Sequence, residues 1–302
     1  MRTTFVNTLK QLARNDKRIF LITADMGFSV FEDFREEFPD RFLNTGIAEQ
    51  NTIGIAAGLA MSGKIVYVYS IIPFITMRCF EQIRLDLAYN NANVKLIGVG
   101  AGFTYGSMGS SHHAIEDISI MRSIPNMTVL CPGDPFETEE LVKRSHEIPG
   151  PVYLRLGKNG EPTIHKNKNK INIGESINIT EGDDLILITT SNTLELGKSW
   201  VDEWNLEGIT VNLVSVPTIK PINQSSIIKL IDRNIPIITL EEHNIIGGLG
   251  STISEIIAES GKGVKFRRMG INDVFSHYVG SAEFQRKKLN ILQKPKKSWF
   301  LK

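Results

Sequence analysis

Cysteine is scarce in this chain. Cys79 and Cys131 are the two among 302 residues, too few for a disulfide framework and without metal-like spacing, so a reduced, cytoplasmic setting is expected. Long apolar runs are missing too, and nothing approaches the roughly 20 residues a membrane-crossing helix needs. Met1 to Leu9 lack the apolar core of a signal peptide. Neither sign of charge dominates: 34 basic residues face 33 acidic ones, for a formal net charge of +1. That balance excludes the broad charged face of a nucleic-acid or membrane binder. Lys166, Lys168 and Lys170, alternating with asparagine, form the only basic concentration and read as a solvated connection.

The remainder is ordinary globular material, 41% hydrophobic and 22% charged. Its length predicts about two domains of roughly 150 residues each. Apolar strand-like runs cover Ile19 to Ala24, Lys64 to Ser70, Val94 to Gly100, Thr128 to Cys131 and Val152 to Leu156. Helical patterns alternate with them at Ala48 to Met61, Phe80 to Ala88, Ala114 to Met121 and Phe136 to Ser145. Continuous apolar strands between helices predict a parallel sheet covered on both faces. After a polar stretch a second α/β series follows, with strands at Leu185 to Thr190, Ile209 to Val216, Ile235 to Leu240 and Val264 to Met269. The expected division is residues 1–165, a connection at 166–183, and residues 184–302.

Three stretches carry chemistry. Asn44-Thr45-Gly46-Ile47-Ala48-Glu49-Gln50-Asn51 opens a helix rich in small residues, Gly54, Ala56, Ala57, Gly58 and Ala60. On pattern alone Glu49 is an acid favoured in a helix's first turn. Tyr69 to Phe74, followed by Arg78 and Phe80 to Arg84, places an aromatic ring and a guanidinium near one strand end. Gly106 to Asp117 is a glycine- and serine-rich loop carrying His112 and His113. Adjacent histidines point in different directions, so a shared metal is not expected. Asp25 stands at a strand's carboxyl end, where α/β folds bind ligands, or caps a turn there.

These strings resemble the transketolase family, and also 1-deoxyxylulose-5-phosphate synthases. Gly46-Ile47-Ala48-Glu49-Gln50 resembles the family's pyrimidine-binding domain, and Leu240 to Asn244 with Gly247 to Gly250 resembles its C-terminal domain. The resemblance implies an α/β fold: a thiamine-diphosphate-binding, pyrimidine-type parallel-sheet domain, then a smaller α/β transketolase C-terminal domain. It implies that Glu49 hydrogen-bonds N1′ of the aminopyrimidine and so activates thiazolium C2 as a carbon nucleophile. Phe74 is then the ring packed on the aminopyrimidine, Asp25 lies near the cofactor, and Arg78 lines the same wall or is a surface residue. His112 faces the substrate. His113 falls beside it, at a position usually glutamine, and reads also as a hydrogen bonder at a helix start.

Departures from the family shape the remaining expectations. The diphosphate signature, Gly-Asp-Gly followed by Asn, is absent; Gly133-Asp134-Pro135 and Gly182-Asp183-Asp184 are the nearest strings. No metal ligands are expected in this chain. A partner subunit is expected to hold the diphosphate and Mg²⁺ in an α₂β₂ assembly. Gly100 stands where the family places a histidine, and Met108 where it places an aspartate. Lys158 matches a phosphate-binding arginine, without the bidentate fork, and Arg2 fits another. The expected activity is transfer of a two-carbon ketol unit between sugar-type substrates, one of them modified. The alternatives are the β subunit of a 2-oxo acid dehydrogenase or decarboxylase, and a non-catalytic regulatory subunit.

Overall fold

Aliphatic and β-branched runs set the frame, as their patterning requires. The computed structural model describes residues 1–158, 160–166 and 169–301; Lys168 lies outside the described residues. The strands run β1 (Ile19–Thr23), β2 (Phe42–Asn44), β3 (Ile65–Ile71), β4 (Val94–Val99), β5 (Thr128–Leu130), β6 (Val152–Leu156), β7 (Ile177–Asn178), β8 (Leu185–Thr189), β9 (Val211–Ser215), β10 (Thr218–Lys220), β11 (Ile237–Asn244) and β12 (Phe266–Ile271). One sheet has the order β10-β5-β6-β4-β3-β1-β2, the other β12-β11-β8-β9-β7. Pairing is parallel except for β10 on β5 and β7 on β9. Every residue of β3, β4 and β6 is buried, as in a sheet covered on both faces.

The two α/β units interlock. β10, from the second half of the chain, adds an antiparallel edge to the first sheet. β7, inside the expected connection, closes the edge of the second. A helix at Arg2–Asn15 that the strand-and-helix reading did not single out covers the first sheet. Phe5, Val6, Leu9 and Ala13 form its buried stripe, the spacing of an amphipathic helix.

β1, β3 and β4 are neighbours, with Thr23 opposite Tyr69 and Ile71 opposite Val99. Their carboxyl ends therefore open side by side. From these ends leave the Asp25 turn, the Ile72–Ile75 helix that carries Phe74, and the loop after Gly100. The expected Phe80 to Ala88 helix is a short α-helix, Phe80–Gln82, that widens into a π-helix at Ile83–Tyr89.

Glu241, Glu242 and His243, at the end of β11, form a buried seam. Glu241 accepts from the Leu249 and Gly250 amides at 2.7 and 2.8 Å, capping the Leu249–Ser260 helix. His243 accepts from the Ser119 amide at 3.3 Å, and Glu242 pairs with Arg286 at 2.5 Å. Burial raises the Glu241 carboxyl to about 7, against the two amides that favour its charged form. A carboxyl raised in the folded state stabilises fully below its unfolded value, and that contribution is lost as pH rises through about 7. Glu241→Gln should therefore gain stability relative to the parent chain between pH 5 and pH 8. Paired melting curves at the two pH values check this; a pH-independent difference would contradict it.

Candidate functional site

Glu49 is the first residue of the Glu49–Met61 helix, and its side chain is 6% exposed. The turn before it is fixed by Asn44, whose Oδ1 accepts from the Asp25 and Gly46 amides at 2.9 and 3.0 Å. Gly46 adopts φ 73°, a conformation that suits glycine. Asp25 has φ 51°, which aspartate tolerates, and its carboxylate accepts from the Asn44 amide group at 3.3 Å. Asp25 is thus tied to the loop that presents Glu49. It makes no hydrogen bond to Glu49, Phe74 or His112 among the described residues.

The helix's small residues split between two faces. Ala56 and Ala57 pack inward, whereas Gly54 and Gly58 face open space. Ile47 and Met61, 79% and 63% exposed, lie at either end of that open face.

From Glu49 an unbroken chain of contacts runs across the strand ends. Arg78 Nη1 lies 2.8 Å from Glu49 Oε1. The same guanidinium sits 4.5 Å from the centre of the Phe74 ring, and the Arg78 carbonyl accepts from Gln50 at 3.1 Å. The His112 imidazole meets Phe74 edge-on, with ring centres 5.0 Å apart and planes at 69°. Ser111 Oγ lies 3.0 Å from His112 Nδ1. Partial burial lowers the His112 imidazole below its ordinary value, so it is neutral near pH 7 and able to accept a proton.

Beyond His112 the chain continues through Tyr105, whose ring centre lies 6.5 Å from that of His112. Lys158 Nζ stands 5.5 Å from the Tyr105 ring centre. The Arg2 amide donates to the Lys158 carbonyl at 3.0 Å. Arg2 and Lys158, far from each other in sequence, thus share one end of the site.

Two substrate-side candidates fall elsewhere. His113 is 4% exposed and packs edge-to-face on Phe103, with ring centres 4.9 Å apart. It faces the interior beneath the loop: the 3₁₀ turn Ser110–His112 ends at His112, and the backbone becomes extended at His113. Met108 is 60% exposed at the loop's tip. The second α/β unit holds this loop from below: Gly280 donates to the Gly106 carbonyl at 3.2 Å, and Gln285 donates to Tyr278 and Gly106 carbonyls at 2.7 and 3.4 Å. That support comes from far along the chain and left no local mark in the sequence.

The arrangement fits one end of thiamine diphosphate. A buried carboxylate and an adjacent aromatic ring are what an aminopyrimidine requires. Among the described residues no group of three or more His, Cys, Asp or Glu side chains converges to hold a metal ion. Among them, too, no helix is long and apolar enough to cross a membrane.

Comparison with known proteins matches the chain to one family. Residues 1–161 match the transketolase pyrimidine-binding domain and residues 174–289 the transketolase C-terminal domain. One subunit of the apulose-4-phosphate transketolase of Phocaeicola vulgatus is 37% identical, covering 92% of this chain and 92% of that one. The 6-deoxy-6-sulfo-D-fructose transketolase subunit of Clostridium sp. MSTE9 is 32% identical, covering 97% and 91%. A split-gene transketolase, solved as an inactive beta4 tetramer, superposes with a TM-score of 0.88 at 33% identity, covering 96% and 93%.

Proposed function

The chain belongs to the transketolase family, and from that premise we propose that it is one half of a two-chain, thiamine-diphosphate-dependent enzyme that transfers a two-carbon ketol unit between sugar-type substrates. The unbroken contact chain Glu49–Arg78–Phe74–His112 carries this reading. When bound, thiamine diphosphate supplies the carbon nucleophile that takes up the ketol unit.

This chain's residues do the rest at the aminopyrimidine end. Glu49 holds the proton at ring N1′, shielded from water by its burial. Phe74 offers a flat apolar face for the ring, and Arg78 fixes the orientation of the Glu49 carboxylate. Asp25 lies on the same rim as a further cofactor contact. His112, neutral and edge-on to Phe74, exchanges a proton with a substrate hydroxyl. Arg2 and Lys158 offer positive charge to the substrate's anionic end. His113 and Met108 shape the loop around it.

The diphosphate and Mg²⁺ are assigned to a partner chain bearing the Gly-Asp-Gly…Asn signature, in a cytoplasmic α₂β₂ assembly. The open face formed by Gly54, Gly58, Ile47 and Met61 beside Glu49 supports close approach of such a partner. Two relatives bear the names of modified-sugar transketolase subunits, which agrees with Gly100 and Met108 in place of the family's polar contacts.

Mixed with a diphosphate-domain chain, Mg²⁺ and thiamine diphosphate, the protein should use apulose 4-phosphate or 6-deoxy-6-sulfo-D-fructose with a higher kcat/KM than D-xylulose 5-phosphate. A preference for the ordinary pentose phosphate rejects the modified-sugar assignment. Lipoyl-dependent turnover of a 2-oxo acid, without ketol transfer, rejects the reaction itself.

A further inference from the structure

Gly100 closes β4 with φ 98°. A Cβ placed on it would fall inside the Cδ2 and Cε2 atoms of Tyr105. The tyrosine ring therefore occupies the space that a side chain at position 100 would need, five residues upstream. Tyr105 is half-buried. Its ring stands between the His112 imidazole and the Lys158 ammonium.

The ring is also held from behind. The Tyr105 carbonyl accepts from the Met108 amide at 2.8 Å, and the next residue, Gly106, is clamped by Gly280 and Gln285. An aromatic side chain fixed on a braced turn, touching both ends of a site, defines the shape of the space between them.

We propose that Tyr105, seated over Gly100, is a specificity-determining residue: its ring is the wall between the proton-transferring histidine and the cationic end of the substrate site. This rests on the ketol-transfer reading above. The ring removes a polar group that would read a substrate hydroxyl and replaces it with an apolar face edged by a single hydroxyl. Sugars that carry a deoxy or branched carbon at that point, with an anionic group beyond it, match such a wall. An unbranched sugar with a hydroxyl there leaves that hydroxyl without a partner, which binding sites penalise.

The test uses the reconstituted two-chain enzyme with three donors: D-xylulose 5-phosphate, apulose 4-phosphate and 6-deoxy-6-sulfo-D-fructose. The readout is kcat/KM for the better of the last two, divided by that for D-xylulose 5-phosphate. This ratio does not depend on how much of a variant folds. Tyr105→Ala should lower it by about tenfold or more, the scale on which pocket shape discriminates, chiefly through KM. Gly100→His combined with Tyr105→Ala should lower it further, while Tyr105→Phe, which keeps the ring, should stay within about threefold of the parent. An unchanged ratio in Tyr105→Ala, with the parent enzyme active, overturns the role of Tyr105 alone. Absence of turnover by the parent enzyme on all three donors overturns the ketol-transfer reading, and this inference with it.

Discussion

Exchanging Glu49 for glutamine should lower ketol transfer by the reconstituted enzyme by about 10²–10⁴-fold, the usual contribution of a positioned proton-transfer group. The substitution keeps shape and removes charge. A glutamine at the first turn of the Glu49–Met61 helix still packs, but its neutral amide is a poor holder of a proton on a ring nitrogen. Water cannot take over, because the side chain is buried. The accompanying loss of the Arg78 ion pair matters less. Arg78 is nearly half exposed, and pairs of that kind contribute about 0–1 kcal/mol. A large loss of turnover with a nearly unchanged melting temperature is the expected combination. Full turnover in Glu49→Gln would reject the role assigned to this carboxylate.

The second large effect concerns Arg155. Its side chain is 1% exposed. Nε lies 2.8 Å from Asp117 Oδ2, Nη1 2.9 Å from Ser191 Oγ, and Nη2 donates to the Ala114 and Glu242 carbonyls at 2.9 and 3.1 Å. Tyr153 donates to the same Asp117 oxygen at 2.6 Å. One guanidinium thus joins β6, the segment that follows His112 and His113, and the end of β11. Arg155→Met leaves Asp117 charged and buried, which costs about 3–5 kcal/mol. In a protein of this size that lowers Tm by roughly 10 °C. Turnover should fall as well, because Ala114 anchors the loop that carries His112. Arg155→Met with Asp117→Leu should recover part of the stability, since both buried charges are then gone. A Tm for Arg155→Met within about 2 °C of the parent would contradict this assignment.

Much of the architecture was legible because long apolar runs can do little else. The Val152 to Leu156 run is β6 without adjustment, and the helix expected from Ala48 to Met61 begins one residue later, at Glu49. Short edge strands were not legible. β2 and β10 have three residues each and are strands through the neighbours they pair with. The first residues of the expected Ala114 to Met121 helix instead continue the loop, where Ala114 bridges to Gly102, and the helix begins at Asp117.

The site divides in the same way. Glu49, Phe74, Arg78 and His112 could be named from local strings, and the structure brings them into contact. His113 and Met108 could be named but not aimed. Periodicity does not say that the His113 ring turns inward on Phe103. Tyr105 was not singled out because its meaning lies in a glycine five residues earlier and in Lys158 and Arg2 at a distance. The Arg155–Asp117 seam was invisible for a related reason: buried charge pairs between distant segments have no local pattern.

The central claim is that Glu49 activates the aminopyrimidine end of a cofactor whose diphosphate end another chain holds. Hydrogen–deuterium exchange at C2 of thiamine diphosphate, bound to the reconstituted two-chain enzyme and followed by rapid quench and NMR, tests it most directly. The expected result is fast exchange in the parent complex and exchange at least about a hundredfold slower in Glu49→Gln, with cofactor occupancy unchanged. Equal exchange rates in the two complexes would contradict the account.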